Sequence, residues 1–320
     1  MERNRLGPGL KRGDTIGIIA PSAPLMTDEI QPVCDFLQGL GYTVVLGQSV
    51  KESWGYLAGN DKLRAADVNA FFVDDHIQAI LCLRGGYGAA RLLPLLDYGQ
   101  IASHPKMFIG FSDITALHAV LRQRCHLATI HGPMATSFLR HPTAYTIEQF
   151  IRGLAQPIAT GPFSLPRRWQ LHSLLAGTAT GILIGGNLSL VASLVGTPYA
   201  LDGSGCLLFL EEVSEEPYAL DRMFLQLEQS GLISQVEGIL FGQFSHCGSF
   251  KEAAYDFTVE QVICYYVHKW NKPAISGMPI GHGRQNGWLP LGIPAYLAGH
   301  ADGTAELIID EKRQKYEYIG

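Results

Sequence analysis

The sequence predicts a two-domain α/β protein, and three observations carry the prediction. Apolar strands alternate with helical segments over residues 1–160, a polar and proline-containing stretch interrupts the pattern at 161–178, and strands then dominate residues 179–320. Strands that are apolar along their whole length need cover on both faces, which implies a parallel sheet flanked by helices. With 320 residues, 47% of them apolar and 17% charged, the chain has the material for two such cores.

Each element of the first domain has a local reason. Residues 15–20 form an apolar strand stopped by Pro21, and residues 29–40 have helical periodicity stopped by Gly41. Residues 42–46 are β-branched and strand-like. Residues 61–73 make a helix with Asn60 or Asp61 to cap it and Leu63, Ala66, Val68 and Phe72 as its apolar positions. Strand 77–83, short helix 89–96, strand 107–109, helix 113–124, strand 127–130 and helix 146–154 follow. The stretch 161–178, with Pro162, Pro166, Arg167 and Arg168, reads as an inter-domain linker. Beyond it, strands are expected at 180–184, 206–210, 239–244, 274–276, 295–298 and 305–309, with helices at 188–195, 217–230 and 257–269.

Composition narrows the function. A formal net charge of −5, with no basic run, gives no attraction to nucleic acid or to anionic membranes. The six cysteines are scattered without a C-x-x-C pair and mostly lie in apolar surroundings, as buried reduced thiols would. The apolar run after the basic residues Arg3, Arg5, Lys11 and Arg12 stops at Pro21, too short for a signal segment. A cytoplasmic protein is expected. No His/Cys/Asp/Glu spacing suggests a metal, and neither a Walker motif nor G-x-G-x-x-G suggests a nucleotide cofactor.

The candidate chemistry lies at the carboxyl ends of strands, where ligands bind in open α/β sheets. In Lys106-Met-Phe-Ile-Gly-Phe-Ser-Asp-Ile-Thr-Ala-Leu-His118 an apolar strand meets Gly110, then Ser112, then a helix. This has the form of a nucleophile elbow, with Ile114 where a second glycine is usual. Ser112 could equally serve as a helix cap towards the N–H of Thr115. Arg84-Gly-Gly-Tyr-Gly88 presents backbone N–H groups suited to a phosphate, an oxyanion or simply a tight turn. Leu208-Phe-Leu-Glu-Glu212 places Glu211 and Glu212 on opposite faces of a strand, one towards a cleft and the other towards water. Ile280-Gly-His-Gly-Arg284 leaves His282 accessible between two glycines. In chain order, Ser112, Glu211 and His282 supply a nucleophile, a carboxylate and a base, the order found in α/β-hydrolases.

These segments, together with Ala20-Pro-Ser22, His131-Gly-Pro-Met134 and Gly185-Gly-Asn-Leu188, resemble the LD-carboxypeptidases (muramoyltetrapeptide carboxypeptidases, serine peptidase family S66) from about Gly13 to Ala298. The resemblance implies a flavodoxin- or amidotransferase-like N-terminal domain and a β-rich C-terminal domain, with the active site between them. It implies a Ser112–Glu211–His282 triad, oxyanion donors at the N–H groups of Gly86 and Asp113, no cofactor, and a homodimer. The implied reaction releases D-alanine from murein tetrapeptides during peptidoglycan recycling. Arg84, Gly85, Asn187 and Arg284 are candidates for substrate contact, although Asn187 is also placed to cap the helix after it. The family also includes microcin C immunity-type hydrolases of peptide-nucleotides. For that chemistry, Trp169 and Trp288 are the indoles available for stacking. A non-catalytic muropeptide-binding sensor is the alternative outside enzymology.

Overall fold

The computed structural model describes residues 4–25, 29–139, 141–249 and 256–310. The chain forms two compact units, Met1–Pro157 with Gly287–Leu291, and Ile158–Asn286 with Gly292–Gly320.

The first unit runs β1 (Thr15–Ile19), α1 (Ile30–Gly39), β2 (Thr43–Leu46), α2 (Asp61–Val73), β3 (Ala79–Cys82), α3 (Tyr98–Ser103), β4 (Met107–Gly110), α4 (Thr115–Cys125), β5 (Thr129–His131) and α5 (Ala144–Ala155). Its sheet has the order β2-β1-β3-β4-β5, all parallel, which is the flavodoxin-like doubly wound arrangement. Every residue of β3, β4 and β5 is buried, as strands covered on both faces require. Ile16, Ile18, Leu81, Ile109, Ile130 and Phe150 meet in the core. Asn60 caps α2 by accepting from the Leu63 N–H, and Gly41 follows α1 with φ of +95°.

The edge beyond β5 is occupied by a strand that comes from much later in the sequence, Leu289–Leu291, which pairs antiparallel with β5. Its central Pro290 has no N–H to donate, which an edge position tolerates. Trp288 just before it is 6% exposed, packs against Phe150 and donates to the Pro157 carbonyl at 3.0 Å. This corrects the expectation that Trp288 is available for stacking: its indole is a core side chain.

The second unit contains β6 (Gly161–Pro162), β7 (Leu171–Leu175), β8 (Gly177–Asn187), α6 (Leu188–Leu194), β9 (Cys206–Val213), α7 (Pro217–Gln229), α8 (Leu232–Gln235), β10 (Gly238–Ser245), α9 (Val259–Trp270) and β11 (Ala274–Ser276). After the edge strand just described (β12), it adds β13 (Pro294–Gly299) and β14 (Thr304–Ile309). Strands β8, β9, β10 and β11 are parallel neighbours. Antiparallel β7, β14 and β13 connect β11 back to β8, so the ring closes and these strands have no open edge. Leu208, Leu210, Phe224, Phe241, Tyr266 and Trp270 form its core. Each such side chain contributes about 1.5–3 kcal/mol by leaving water.

The expected linker at 161–178 is therefore not a bare connection. Its residues 171–175 are a strand of the second sheet, pairing with β11 and β14. The sequence hides this because Leu171-His-Ser-Leu-Leu175 lacks strict alternation, and its strand character comes from partners about a hundred residues later. Among the described residues no helix is long and apolar enough to cross a membrane.

Candidate functional site

Ser112 sits where β4 turns into α4, with φ of +64°. A non-glycine residue in the left-handed region costs of order 1–3 kcal/mol and persists only where its surroundings impose it. Ser112 is not at the N-cap position of α4: residues 112–114 form a 3₁₀ turn, and that position is Ile114, whose side chain makes no cap hydrogen bond. Ile114 takes the place of the usual second glycine because Gly110 leaves it room. A Cβ on Gly110 would lie 2.8 Å from the Ile114 side chain.

The glycine loop after β3 packs directly on the serine. A Cβ on Gly85 would come within 2.8 Å of Ser112 Oγ and 3.5 Å of the Asp113 nitrogen. Only glycine lets the loop approach this closely. Gly86 next to it is exposed. The structure thus brings Ser112, Asp113, Gly85 and Gly86 into one locality. Arg84 donates to the Pro24 carbonyl at 3.2 Å, so its guanidinium braces the neighbouring loop. Beneath the elbow, buried His118 bonds the Gly110 carbonyl through Nε2 at 2.9 Å. A carbonyl can only accept, so Nε2 carries the proton, and burial holds this imidazole neutral with a pKa lowered to about 4.

In the second unit, Glu211 ends the central part of β9 and His282 lies in the loop after β11. The two meet at 2.7 Å between Glu211 Oε2 and His282 Nδ1. Glu211 is fully buried and the His282 side chain is 17% exposed. Burial pulls the His282 pKa down, but the Glu211 hydrogen bond and the charges of Glu211 and Glu212 outweigh it and hold the imidazole above its ordinary value. Burial pushes the Glu211 carboxyl up, against the pull of His282. Gly281, with φ of +121°, makes the contact possible, because a Cβ there would lie 2.6 Å from Glu211 Oε2.

Glu212 differs from expectation. It does not face water but is 2% exposed, because its carboxylate is fully used inside the fold. It accepts from Asn187 Nδ2 and the Val213 N–H, both at 2.8 Å, and from the N–H and hydroxyl of Ser189 at 2.7 and 2.6 Å. Asn187 also accepts from the Leu190 N–H and so caps α6. Arg284 is exposed. Trp169 is 36% exposed, with its ring nitrogen donating to the Gly277 carbonyl at 2.6 Å.

Sequence reasoning missed two residues that hold the histidine loop. Asn286 accepts from the Gly281 N–H at 3.3 Å, and Gln243 on β10 donates to the Gln285 carbonyl at 2.8 Å. No spacing signals either one. No group of three or more His, Cys, Asp or Glu among the described residues could hold a metal ion.

Known proteins share both the fold and these segments. Residues 16–132 match the LD-carboxypeptidase N-terminal domain of peptidase family S66, and residues 180–297 match the LD-carboxypeptidase C-terminal domain. A probable murein peptide carboxypeptidase of Bacillus subtilis is 38% identical over 289 residues, covering 90% of each chain. The crystal structure of muramoyltetrapeptide carboxypeptidase from Oxalobacter formigenes superposes with a TM-score of 0.81 at 30% identity, over 92% of this chain and 98% of that one. The microcin C7 self-immunity protein MccF superposes with a TM-score of 0.86 at 26% identity, over 96% and 98%. By class the chain is a peptidase. It belongs to the LD-carboxypeptidase family.

Proposed function

We propose that the chain is a serine-type LD-carboxypeptidase that releases terminal D-alanine from murein tetrapeptides, with Ser112, His282 and Glu211 acting as one triad. The observation that carries this reading is the left-handed Ser112 with Gly85 packed on its hydroxyl. A strained serine at a strand-to-helix turn is where a nucleophile, rather than a cap, is expected.

The chemistry follows from the hydrogen bonds. Glu211 engages Nδ1 of His282, which leaves Nε2 as the basic nitrogen. Ser112 Oγ attacks the carbonyl carbon of diaminopimelate or lysine and passes its proton to Nε2. The oxyanion accepts from the N–H groups of Gly86 and Asp113, each worth roughly 3 kcal/mol by analogy with other hydrolases. The C–N bond breaks, D-alanine leaves with the proton from His282, and water deacylates the serine with His282 again as base. Arg84, Gly85, Asn187 and Arg284 are proposed to line the substrate. Arg84 does so while bonded to the Pro24 carbonyl of a neighbouring loop, and Asn187 while capping α6. The reading requires no cofactor. It carries with it a cytoplasmic role in peptidoglycan recycling and a homodimer, the latter checked by sedimentation.

The deciding assay supplies L-Ala-γ-D-Glu-diaminopimelate-D-Ala and its L-alanine-terminated counterpart and measures free alanine. Release from the D-terminated peptide alone, lost in Ser112→Ala, is expected. Turnover that survives Ser112→Ala removes the serine mechanism. The likeness to MccF keeps a peptide-nucleotide amide as the second substrate to try. Burial of Trp288 removes one of the two indoles that substrate would need for stacking. A muropeptide sensor would bind the peptide without hydrolysing it and leave Ser112 unlabelled by serine-directed reagents.

A further inference from the structure

The elbow and the glycine loop are joined by side chains that the mechanism above does not use. Asp113 is 2% exposed, and its Oδ2 accepts from Ser22 Oγ at 2.6 Å and from the Ala89 N–H at 2.8 Å. Arg64 on α2, also fully buried, donates through Nη1 to the carbonyls of Pro21 and, at 3.0 Å, Gly88, and through Nε to Gly59 at 3.2 Å. The two side chains therefore grip the same pair of loops from opposite chemical sides. The cation takes the carbonyls of Pro21 and Gly88. The anion takes the donors of the residues that follow them, Ser22 and Ala89. Arg64 is held in turn by Asp61, which Arg91 pairs from the surface.

Burying an arginine and an aspartate costs several kcal/mol unless every polar atom is engaged. Burial pushes the Asp113 carboxyl above its ordinary range, and the Ser22, Ala89 and Gly88 hydrogen bonds offset this only in part. An ordinary turn has no need of such an arrangement. What distinguishes this one is that Asp113 also contributes a main-chain N–H beside Ser112, while Gly86 lies only two residues before the gripped Gly88.

We propose that the Asp113 carboxylate, with Arg64 opposite it, is a positioning device that sets the separation of the two oxyanion donors, the N–H of Asp113 itself and the N–H of Gly86. The proposal rests on Ser112 being the nucleophile. One residue then supplies one donor through its backbone and locates the other through its side chain. Loosening the carboxylate lets the glycine loop drift from the serine, which weakens the transition state while leaving ground-state binding of the peptide intact.

The test uses the full chain with Asp113→Asn, and Ser22→Ala as a second variant that removes one bond and leaves both buried charges in place. Four quantities are read. These are kcat and KM on the D-alanine peptide, the affinity of a peptide aldehyde that forms a tetrahedral adduct, and the affinity of the intact peptide measured in the Ser112→Ala background. The expected result is a kcat lowered roughly 10- to 1,000-fold in Asp113→Asn, and by less in Ser22→Ala. Aldehyde affinity should fall in parallel, while KM and peptide affinity move less than about threefold. Equal losses in aldehyde and peptide affinity would mean that Asp113 merely supports the fold, and the proposal fails. Wild-type values in both variants overturn it as well. If the wild-type protein itself forms no aldehyde adduct, the nucleophile assignment has failed, and the clasp falls with it.

Discussion

At Ser112 the geometry is enforced by shape. A left-handed backbone, a glycine whose added Cβ would collide with the hydroxyl and another that accommodates Ile114 hold the serine in place. At Glu211 and His282 the geometry is enforced by charge. A fully buried carboxylate has the imidazole at 2.7 Å, with Glu212 adding a second negative charge nearby. The first region stores conformational energy and has little intrinsic dependence on pH. The second stores desolvation energy, and its charge depends on protonation. Steric changes should therefore disable the first region, and changes of charge the second.

The largest expected effects treat both regions alike. If Ser112, His282 and Glu211 act as the proposed triad, Ser112→Ala and His282→Ala should each lower kcat by roughly 10⁴-fold or more, because members of a triad act as a unit. A folded His282→Ala variant with near-normal D-alanine release would separate the two regions functionally and dissolve the triad. Glu211→Gln should cost about 10⁴-fold, as loss of the orienting carboxylate does in other triads. The same variant gives the pH test. In the proposed mechanism His282 acts as a base only when neutral, and its pKa is raised, so wild-type activity should fall with decreasing pH through a value above that of an ordinary histidine. Removing the Glu211 charge lowers that pKa, so the acid limb of the kcat/KM profile should move to lower pH. A limb that stays in place would show that Glu211 does not set the basicity of His282.

Two glycine substitutions sharpen the contrast. Gly85→Ala should lower kcat by roughly 100-fold, because misplacement by about an ångström is enough. Its pH profile should keep the wild-type shape, since the clash falls on Ser112 Oγ. Gly281→Ala should cost a similar factor and should also move the acid limb down, since its clash is with Glu211 Oε2. Identical profiles for the two variants would erase the distinction between a steric and an electrostatic region. The smallest effect concerns stability alone. Ser112→Gly should be about 1 kcal/mol more stable than Ser112→Ala in denaturant unfolding, because glycine accepts φ of +64° without penalty. Equal stabilities would mean that the elbow is not strained.

Much of the frame was legible because it depends on neighbours in sequence. The continuous apolar runs at β3 and β4, the Asn60 cap and the strand–Gly–x–Ser–helix pattern each depend on a few adjacent residues. Glu211 could be singled out from its strand end, but its neighbour could not be read correctly. Alternation fixes that Glu211 and Glu212 face opposite ways, yet not that both faces are covered, which follows from α6 and Ser189 lying over one of them. In sequence the stretch holding strand Leu171–Leu175 reads as linker, and the edge strand Leu289–Leu291 carries no local signal. Both are short and take their strand character from partners distant in the chain.

By itself, the sequence determined most of the strands and helices, the strand–Gly–x–Ser–helix corner at Ser112 and the glycine-rich loops around Arg84 and His282. These are short-range matters of backbone preference and apolar periodicity, and they need no partner to be read. Only the tertiary structure decided which buried charges would be satisfied and by what. Glu211 finds His282 71 residues away, and Asp113 finds Ser22 91 residues away. A charge is stable in a low-dielectric interior only where the fold delivers donors and counter-charges to it, and that delivery is a property of the packed chain rather than of any stretch of it.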